Sequence, residues 1–288
     1  MLLNAAGETQ LVMLGTGTPR PDPDRSGPAA AVLVRGASYL VDCGPGIVRR
    51  ASAARAKGLE ELAPSQLKTV FVTHLHSDHT VGLVDLILTP WVVGRKEPLS
   101  AFGPVGLKHM VGSLLEAYRE DIQLRIHGLE NGNDTGWKVK VTEVQPGVIF
   151  KDDNVTVTAI SVRHGSWKEA LGYSFKTDDR TIVFSGDTAP CPELEAAAKG
   201  ADILVHEVYE DTQATPEPRP GGDKWPAYMK SFHTSASELG AIAARTKPKL
   251  LLLTHVLIRK GNEAKLIQEI RAAGFEGDVK IADDLGVY

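Results

Sequence analysis

The stretch Thr73-His74-Leu75-His76-Ser77-Asp78-His79 constrains this chain more than any other feature. Three of the nine histidines and one aspartate fall within positions 74–79. They follow Thr69 to Thr73, an apolar, β-branched run that reads as a buried strand. If the chain leaves that strand still extended, His74 and His76 project to the same side. A tight turn then re-aims Asp78 and His79 from the start of a following helix. Imidazole nitrogens and carboxylate oxygens are ligands for zinc and similar divalent ions. Four such groups on one loop could serve two ions about 3.5–4 Å apart, the spacing of hydrolytic two-metal sites. The competing reading, a chance surface cluster, is weakened by the scarcity of histidine elsewhere.

The rest of the composition leaves room for an enzyme and excludes several other classes. With 288 residues, 42% hydrophobic and 24% charged, the chain can bury a core without staples. The net charge of −4 and a pI near 6.1 give no global basic field to gather nucleic acid, although a local groove would suffice. Cys43 and Cys191 form no CxxC pair and read as small buried hydrophobes. Met1-Leu2-Leu3-Asn4 has no charged leader region, and no apolar run approaches the ~20 residues of a membrane span. A soluble cytoplasmic protein is the expectation.

Two successive β-then-α halves emerge along the chain. Thr9 to Leu14, Ala30 to Val34 and Tyr39 to Asp42 read as strands, with a turn at Arg35-Gly36. Ile47 to Lys57 and Leu107 to Tyr118 read as helices. In the second half Val139 to Val144, Val155 to Val162, Tyr173 to Lys176, Thr181 to Phe184, Ile203 to His206, Leu250 to Thr254 and Val279 to Ala282 read as strands. Pro192 to Lys199, Ser235 to Arg245 and Glu263 to Ala273 read as helices, the second capped by Ser235 or Ser237. The pattern predicts an α/β protein: a four-layer αββα sandwich, two sheets face to face with outer helices. It is expected to be one domain over 1–288, with halves of about 1–150 and 151–288. Asn131 to Trp137 and the Pro- and Gly-rich Asp211 to Phe232 read as long loops, the latter a lid or substrate wall.

His-x-His-x-Asp-His after a strand resembles the signature of the metallo-β-lactamase superfamily. The remaining superfamily motifs follow in order: His164 at a strand end, Asp187 in Phe184-Ser185-Gly186-Asp187-Thr188, and His255 in Leu253-Thr254-His255. By that resemblance His74, His76 and His164 hold one ion, Asp78, His79 and His255 hold the other, and Asp187 bridges them. The ions implied are divalent, zinc first, with manganese or iron as alternatives. Leu14-Gly15-Thr16-Gly17-Thr18-Pro19, Leu40-Val41-Asp42-Cys43-Gly44, Phe102-Gly103-Pro104, Leu204-Val205-His206-Glu207-Val208 and Phe232-His233-Thr234-Ser235-Ala236 resemble the ribonuclease Z and arylsulfatase-type branch. In that branch the aspartate at Asp42 orients a metal-binding histidine. Gly15-x-Gly17 lacks the third glycine of a phosphate-binding turn.

Between His164 and Asp187 this sequence has only strand and turn, where tRNA-processing members commonly carry a long basic arm. That departure and the acidic pI point away from tRNA and from nucleic acid generally. The expected function is a binuclear hydrolase that turns a metal-bridging hydroxide on a small-molecule phosphodiester or aryl or sulfate ester. The alternatives are a ribonuclease Z-like enzyme of tRNA 3′ ends without the usual arm, a lactonase or esterase, and a non-catalytic metal-binding accessory protein. Asp78 and Asp187 are the expected catalytic carboxylates. His233, steadied by Glu207, is the candidate general acid, with a structural helix-capping role as its competitor. His206 reads as packed, and His109 and His127 as surface residues. The resemblance also implies a homodimer, and the lack of a long apolar run predicts no membrane partner.

Overall fold

The computed structural model describes residues 8–258 and 262–288. Met1 to Asn4, read above for a leader, lie outside the described residues. No helix among those described is long and apolar enough to cross a membrane. The chain divides into two compact units, one running to Val144 and including Asp283–Tyr288, the other Gln145–Ala282.

The first unit is built on a six-stranded sheet whose strand order is the chain order. Strands β1 (Gln10–Gly15), β2 (Ala29–Val34) and β3 (Ala37–Val41) pair antiparallel. Arg35 and Gly36 join β2 to β3 with φ of 46° and 82°, the two left-handed residues of a type I′ hairpin turn. Helix α1 (Ile47–Arg55) leads to β4 (Thr69–Phe71), which lies parallel to β3. Helices α2 (Ser77–Thr80) and α3 (Leu83–Val92) cross to β5 (Leu99–Gly103), and α4 (Leu107–Ala117) and α5 (Arg119–His127) cross to β6 (Val139–Glu143). Both crossings join parallel neighbours, which a tight hairpin cannot do.

All of β2 is buried, and Val12, Leu40 and Val70 of the sheet share one core with Ile47, Ala51, Leu86 and Trp91 of the helices. The closing residues Asp283–Tyr288 return to this unit, where Leu11 and Tyr288 exchange backbone hydrogen bonds of 3.1 and 2.9 Å. Asp284 there accepts the amides of Thr16 and Ser26. Gly15 and Gly17 are needed for close backbone approach: a Cβ on Gly15 would sit 2.0 Å from the Gly27 carbonyl. The Asn131 to Trp137 loop is a structural wrap. Its Asn133 carbonyl takes the Trp91 indole, and its Gly136 carbonyl takes the buried Arg95.

The second unit holds a seven-stranded sheet. Strands β7 (Gly147–Lys151), β8 (Thr156–Ser161), β9 (Leu171–Lys176) and β10 (Thr181–Phe184) run antiparallel in sequence. Beyond β10 the sheet turns parallel through β11 (Ile203–Tyr209), β12 (Leu250–Leu257) and β13 (Asp278–Ile281). Crossovers are α6 (Pro192–Ala198), α7 (Trp225–Phe232) with α8 (Ala236–Thr246), and α9 (Glu263–Ala272). Fully buried β11 sits against a core of Val183, Leu239, Leu251, Leu253, Leu266 and Ile270. Ser235 caps α8 in a reciprocal capping box with Glu238.

The expectation of an unbroken loop over Asp211 to Phe232 is corrected here, because Trp225–Phe232 is helical. Pro226 does not prevent this, since proline in a first turn forfeits only an amide that has no helical acceptor. Trp225, Tyr228 and Phe232 then share one face and stack ring on ring, with centroids 5.0 and 4.4 Å apart.

Candidate metal centre

In the first unit the loop carrying His74, His76, Asp78 and His79 begins where β4 ends, and the end of β3 holds it. Asp42 has φ 58°, a left-handed backbone that is costly for any residue but glycine and turns its carboxylate toward the loop. Oδ1 accepts the Thr73 amide at 2.7 Å, the Thr73 hydroxyl lies within 3.0 Å of both oxygens, and Oδ2 accepts His79 Nδ1 at 2.8 Å. The Cys43 amide donates to the His79 carbonyl at 2.9 Å. Gly44 completes the clamp, for a Cβ there would meet the Asp78 carbonyl at 2.6 Å. His74 and His79 are buried, whereas His76 and Asp78 are half-buried. His74 Nε2 and His76 Nδ1 stand 3.0 Å apart, and His79 Nε2 lies 3.5 Å from Asp78 Oδ2.

In the second unit the expected residues collect at one edge of the sheet, at or just beyond the C-terminal ends of β8, β10, β11 and β12. His164 follows β8 and donates Nδ1–H to the Phe232 carbonyl at 2.7 Å, so Nε2 is the nitrogen that could meet a metal. Asp187 follows β10. Glu207 lies in β11, where Oε1 accepts the amides of Thr188 and Thr234 at 3.2 and 3.1 Å. His255 lies in β12 with φ 45°, where the pairing to β11 shifts by one residue between Glu207 and Val208. It is a bulge residue, and the bulge re-aims a side chain that regular pleating would have placed elsewhere. His164, Asp187 and His233 offer atoms within 4.8 Å of one another, as do Glu207, His233 and His255. His233 Nδ1 is 3.3 Å from Glu207 Oε1 and 4.0 Å from Asp187 Oδ2, and His255 Nε2 is 3.5 Å from Asp187 Oδ2.

These spacings fit a divalent cation. Two donors on one tetrahedral zinc at about 2.0–2.2 Å lie roughly 3.3–3.5 Å apart. The pairs His74–His76, Asp78–His79 and Asp187–His255 are at or near that separation. The candidate donors are imidazole and carboxylate, and Asp42 and the Phe232 carbonyl fix two of the rings through one nitrogen, as the partners of metal-bound histidines do.

The other titratable groups are quieter. Burial lowers the His206 pKa, against the charge of Glu207, and its Nδ1 bonds the Glu207 carbonyl, so it is packed as a neutral ring. His109 and His127 are exposed. Cys43 and Cys191 are free and buried, with burial and then Asp42 raising the Cys43 thiol. The Phe232 carbonyl and the Thr188 and Thr234 amides were not foreseen, because backbone groups carry no residue-type signal.

Residues 38–256 match the model of the β-lactamase superfamily domain. The chain belongs to this superfamily. Ribonuclease Z of Mycobacterium marinum is 33% identical over 281 residues, covering 96% of each chain. The metallo-β-lactamase fold protein YhfI of Bacillus subtilis superposes with a TM-score of 0.73 at 20% identity, covering 98% of this chain and 99% of that one. Human tRNase Z, short form, gives a TM-score of 0.71 at 21% identity, covering 97% and 98%. The two mixed sheets with their helices therefore have the α/β sandwich fold of the superfamily, as the sequence pattern predicted.

The expectation of a small-molecule ester or sulfate substrate is overturned by the relatives at 33–34% identity, which are named ribonuclease Z. The missing arm does not separate this chain from them. A match of 281 residues covering 96% of both chains leaves no room for a long insertion in the relative. Nor does the net charge, which averages over a surface of which an RNA touches one part.

Proposed function

We propose that this protein is a metal-dependent endoribonuclease of the ribonuclease Z type that cuts precursor tRNA at its 3′ end. The observation that carries it is 33–34% identity to ribonucleases Z along 96% of the chain. His74, His76, Asp78, His79, His164, Asp187 and His255 would hold two divalent ions, zinc by donor type. Bound there, such ions supply the Lewis acidity that activates water and stabilises charge on phosphoryl oxygens. Asp187 would orient the attacking water and take its proton. His233 would give a proton to the departing ribose oxygen, with Glu207 supporting the imidazolium across 3.3 Å. Ser235 already caps α8, which leaves His233 without a capping duty.

The test is cleavage of a precursor tRNA by metal-loaded protein, with bis(p-nitrophenyl) phosphate and p-nitrophenyl sulfate compared alongside. Cleavage at the 3′ end, abolished by a chelator and by His76→Ala or Asp187→Ala, is expected. An intact precursor at low salt, where electrostatic binding is strongest, would overturn the proposal.

A further inference from the structure

Beside His164 the second unit opens into a cleft of ≈ 960 Å³ that the chemistry above does not use. Arg163, His164, Trp167 and Lys168 form one side, and Lys230 and Phe232 at the end of α7 form the other. The walls are tied together by backbone. The Gly165 amide donates to the Ser231 carbonyl at 2.8 Å, His164 Nδ1 to the Phe232 carbonyl at 2.7 Å, and the Trp167 amide to the His164 carbonyl at 3.0 Å. Gly165 has φ 54°, and a Cβ there would sit 2.0 Å from the Phe232 ring, so the loop lies directly on that ring. The Ala189 amide donates to the Arg163 carbonyl at 2.7 Å and pins the loop from behind. Phe232 is itself stiffened by the stack through Tyr228 to Trp225, on which Arg219 rests.

Three cations line this preformed cleft, all exposed and none in an ion pair with a described residue. The carboxylate that lines it, Glu238, is occupied at the α8 cap, where it takes the Ser235 amide at 3.0 Å. Cations on a short span beside half-buried aromatic rings suit phosphates and unstacked bases together, the combination by which single-stranded nucleic acid is held. A small apolar or acidic-peptide occupant would use one half of this lining and leave the other half unmatched.

We propose that this cleft binds the single-stranded RNA adjoining the scissile phosphate. Arg163, Lys168 and Lys230 hold its phosphates, Trp167 offers a face for its bases, and Phe232 backs the cleft wall. The inference rests on the ribonuclease reading for the identity of the RNA, and it is tested by binding rather than by turnover.

The probe is a short fluorescent single-stranded RNA, titrated by anisotropy into the metal-loaded protein over a range of salt. Lys168→Gln/Lys230→Gln should bind at least about tenfold more weakly at low salt. Its log Kd against log salt should be shallower by about 1.4, two phosphate contacts on a single strand. Lys176→Gln/Lys199→Gln, which removes exposed lysines outside the cleft, should match wild type. Trp167→Ala should weaken binding about tenfold with an unchanged slope, and Trp167→Phe should restore most of it. A slope unchanged in Lys168→Gln/Lys230→Gln, or no RNA binding by wild type, overturns the cleft. If wild type binds as described but leaves precursor tRNA uncut, the cleft stands and the ribonuclease reading falls. Cleavage with an unaltered slope in the double variant is the reverse outcome.

Discussion

Asp42 Oδ2 accepts the Nδ1 proton of His79 across 2.8 Å, from a backbone with φ 58°. The same carboxylate takes the Thr73 amide and hydroxyl. One side chain therefore sets both the start of the ligand loop and the tautomer of a ring in it. Asp42→Asn keeps the shape but can no longer favour Nδ1–H as strongly, and metal affinity should fall about 10–100-fold. Competition with a chromophoric chelator measures this directly. Wild-type affinity in the variant would mean that Asp42 serves folding alone.

Arg95 is fully buried and its guanidinium donates to the carbonyls of Leu67, Leu86, Ile87 and Gly136 at 2.7–3.3 Å. Burial drags its pKa down to about 10, with the charge of Glu97 pushing back, so it stays cationic at neutral pH. It joins the end of α3 to the Asn131 to Trp137 wrap. Arg95→Met should cost about 3 kcal/mol or more, because four carbonyls lose a charged donor in a dry interior. Denaturant unfolding checks the value. A loss below about 1 kcal/mol would show that water or relaxation satisfies those carbonyls.

The two units were legible in the sequence to different depths. The 74–79 cluster stood out by its density of histidines after an apolar strand, whereas His164 and Asp187 were found by their strand-end placement and order among the motifs. His255 was found in the same way. The reason it points where it does, a bulge in the run Leu250–Leu257, needs the register of the neighbouring strand and has no local signal. The helical stretch after the motif was expected, but the bounds of α3 were not read because Leu83–Val92 is apolar on nearly every side and contains Pro90, so neither period nor breaker rules describe it. The Lys168–Lys230 cleft was invisible for another reason: its walls meet only when a loop and a helix end are brought together by backbone hydrogen bonds.

Glu210 gives the fold a pH limb. Its carboxylate is fully buried, which raises its pKa, but hydrogen bonds from Lys265, Thr212 and Gln213 outweigh that and bring it to about 2. A carboxylate with a folded pKa below its unfolded 4.5 contributes stability that is complete above pH 4.5 and lost as pH falls toward 2. Lys265 is partly solvated, so the contribution is on the order of 2–3 kcal/mol. Thermal unfolding followed between neutral pH and the acid limit should show Glu210→Gln less stable at pH 7, with a flatter decline below pH 4.5. Parallel curves for the two proteins would mean that the carboxylate is not linked to folding.

His233 stands 3.3 Å from Glu207, and Glu207 is itself fixed by two backbone amides. A ring held this way can pass a proton to a poor leaving group, which a ribose oxygen is and p-nitrophenolate is not. His233→Ala should therefore lower kcat on precursor tRNA by about 10²–10³-fold, within the range of general acid catalysis. Turnover of bis(p-nitrophenyl) phosphate should fall far less. Glu207→Gln should follow the same order with a smaller loss, since the imidazolium loses its anionic neighbour. Equal losses on both substrates would assign His233 to shaping the site, because a ring that only props its neighbours cannot distinguish one leaving group from another.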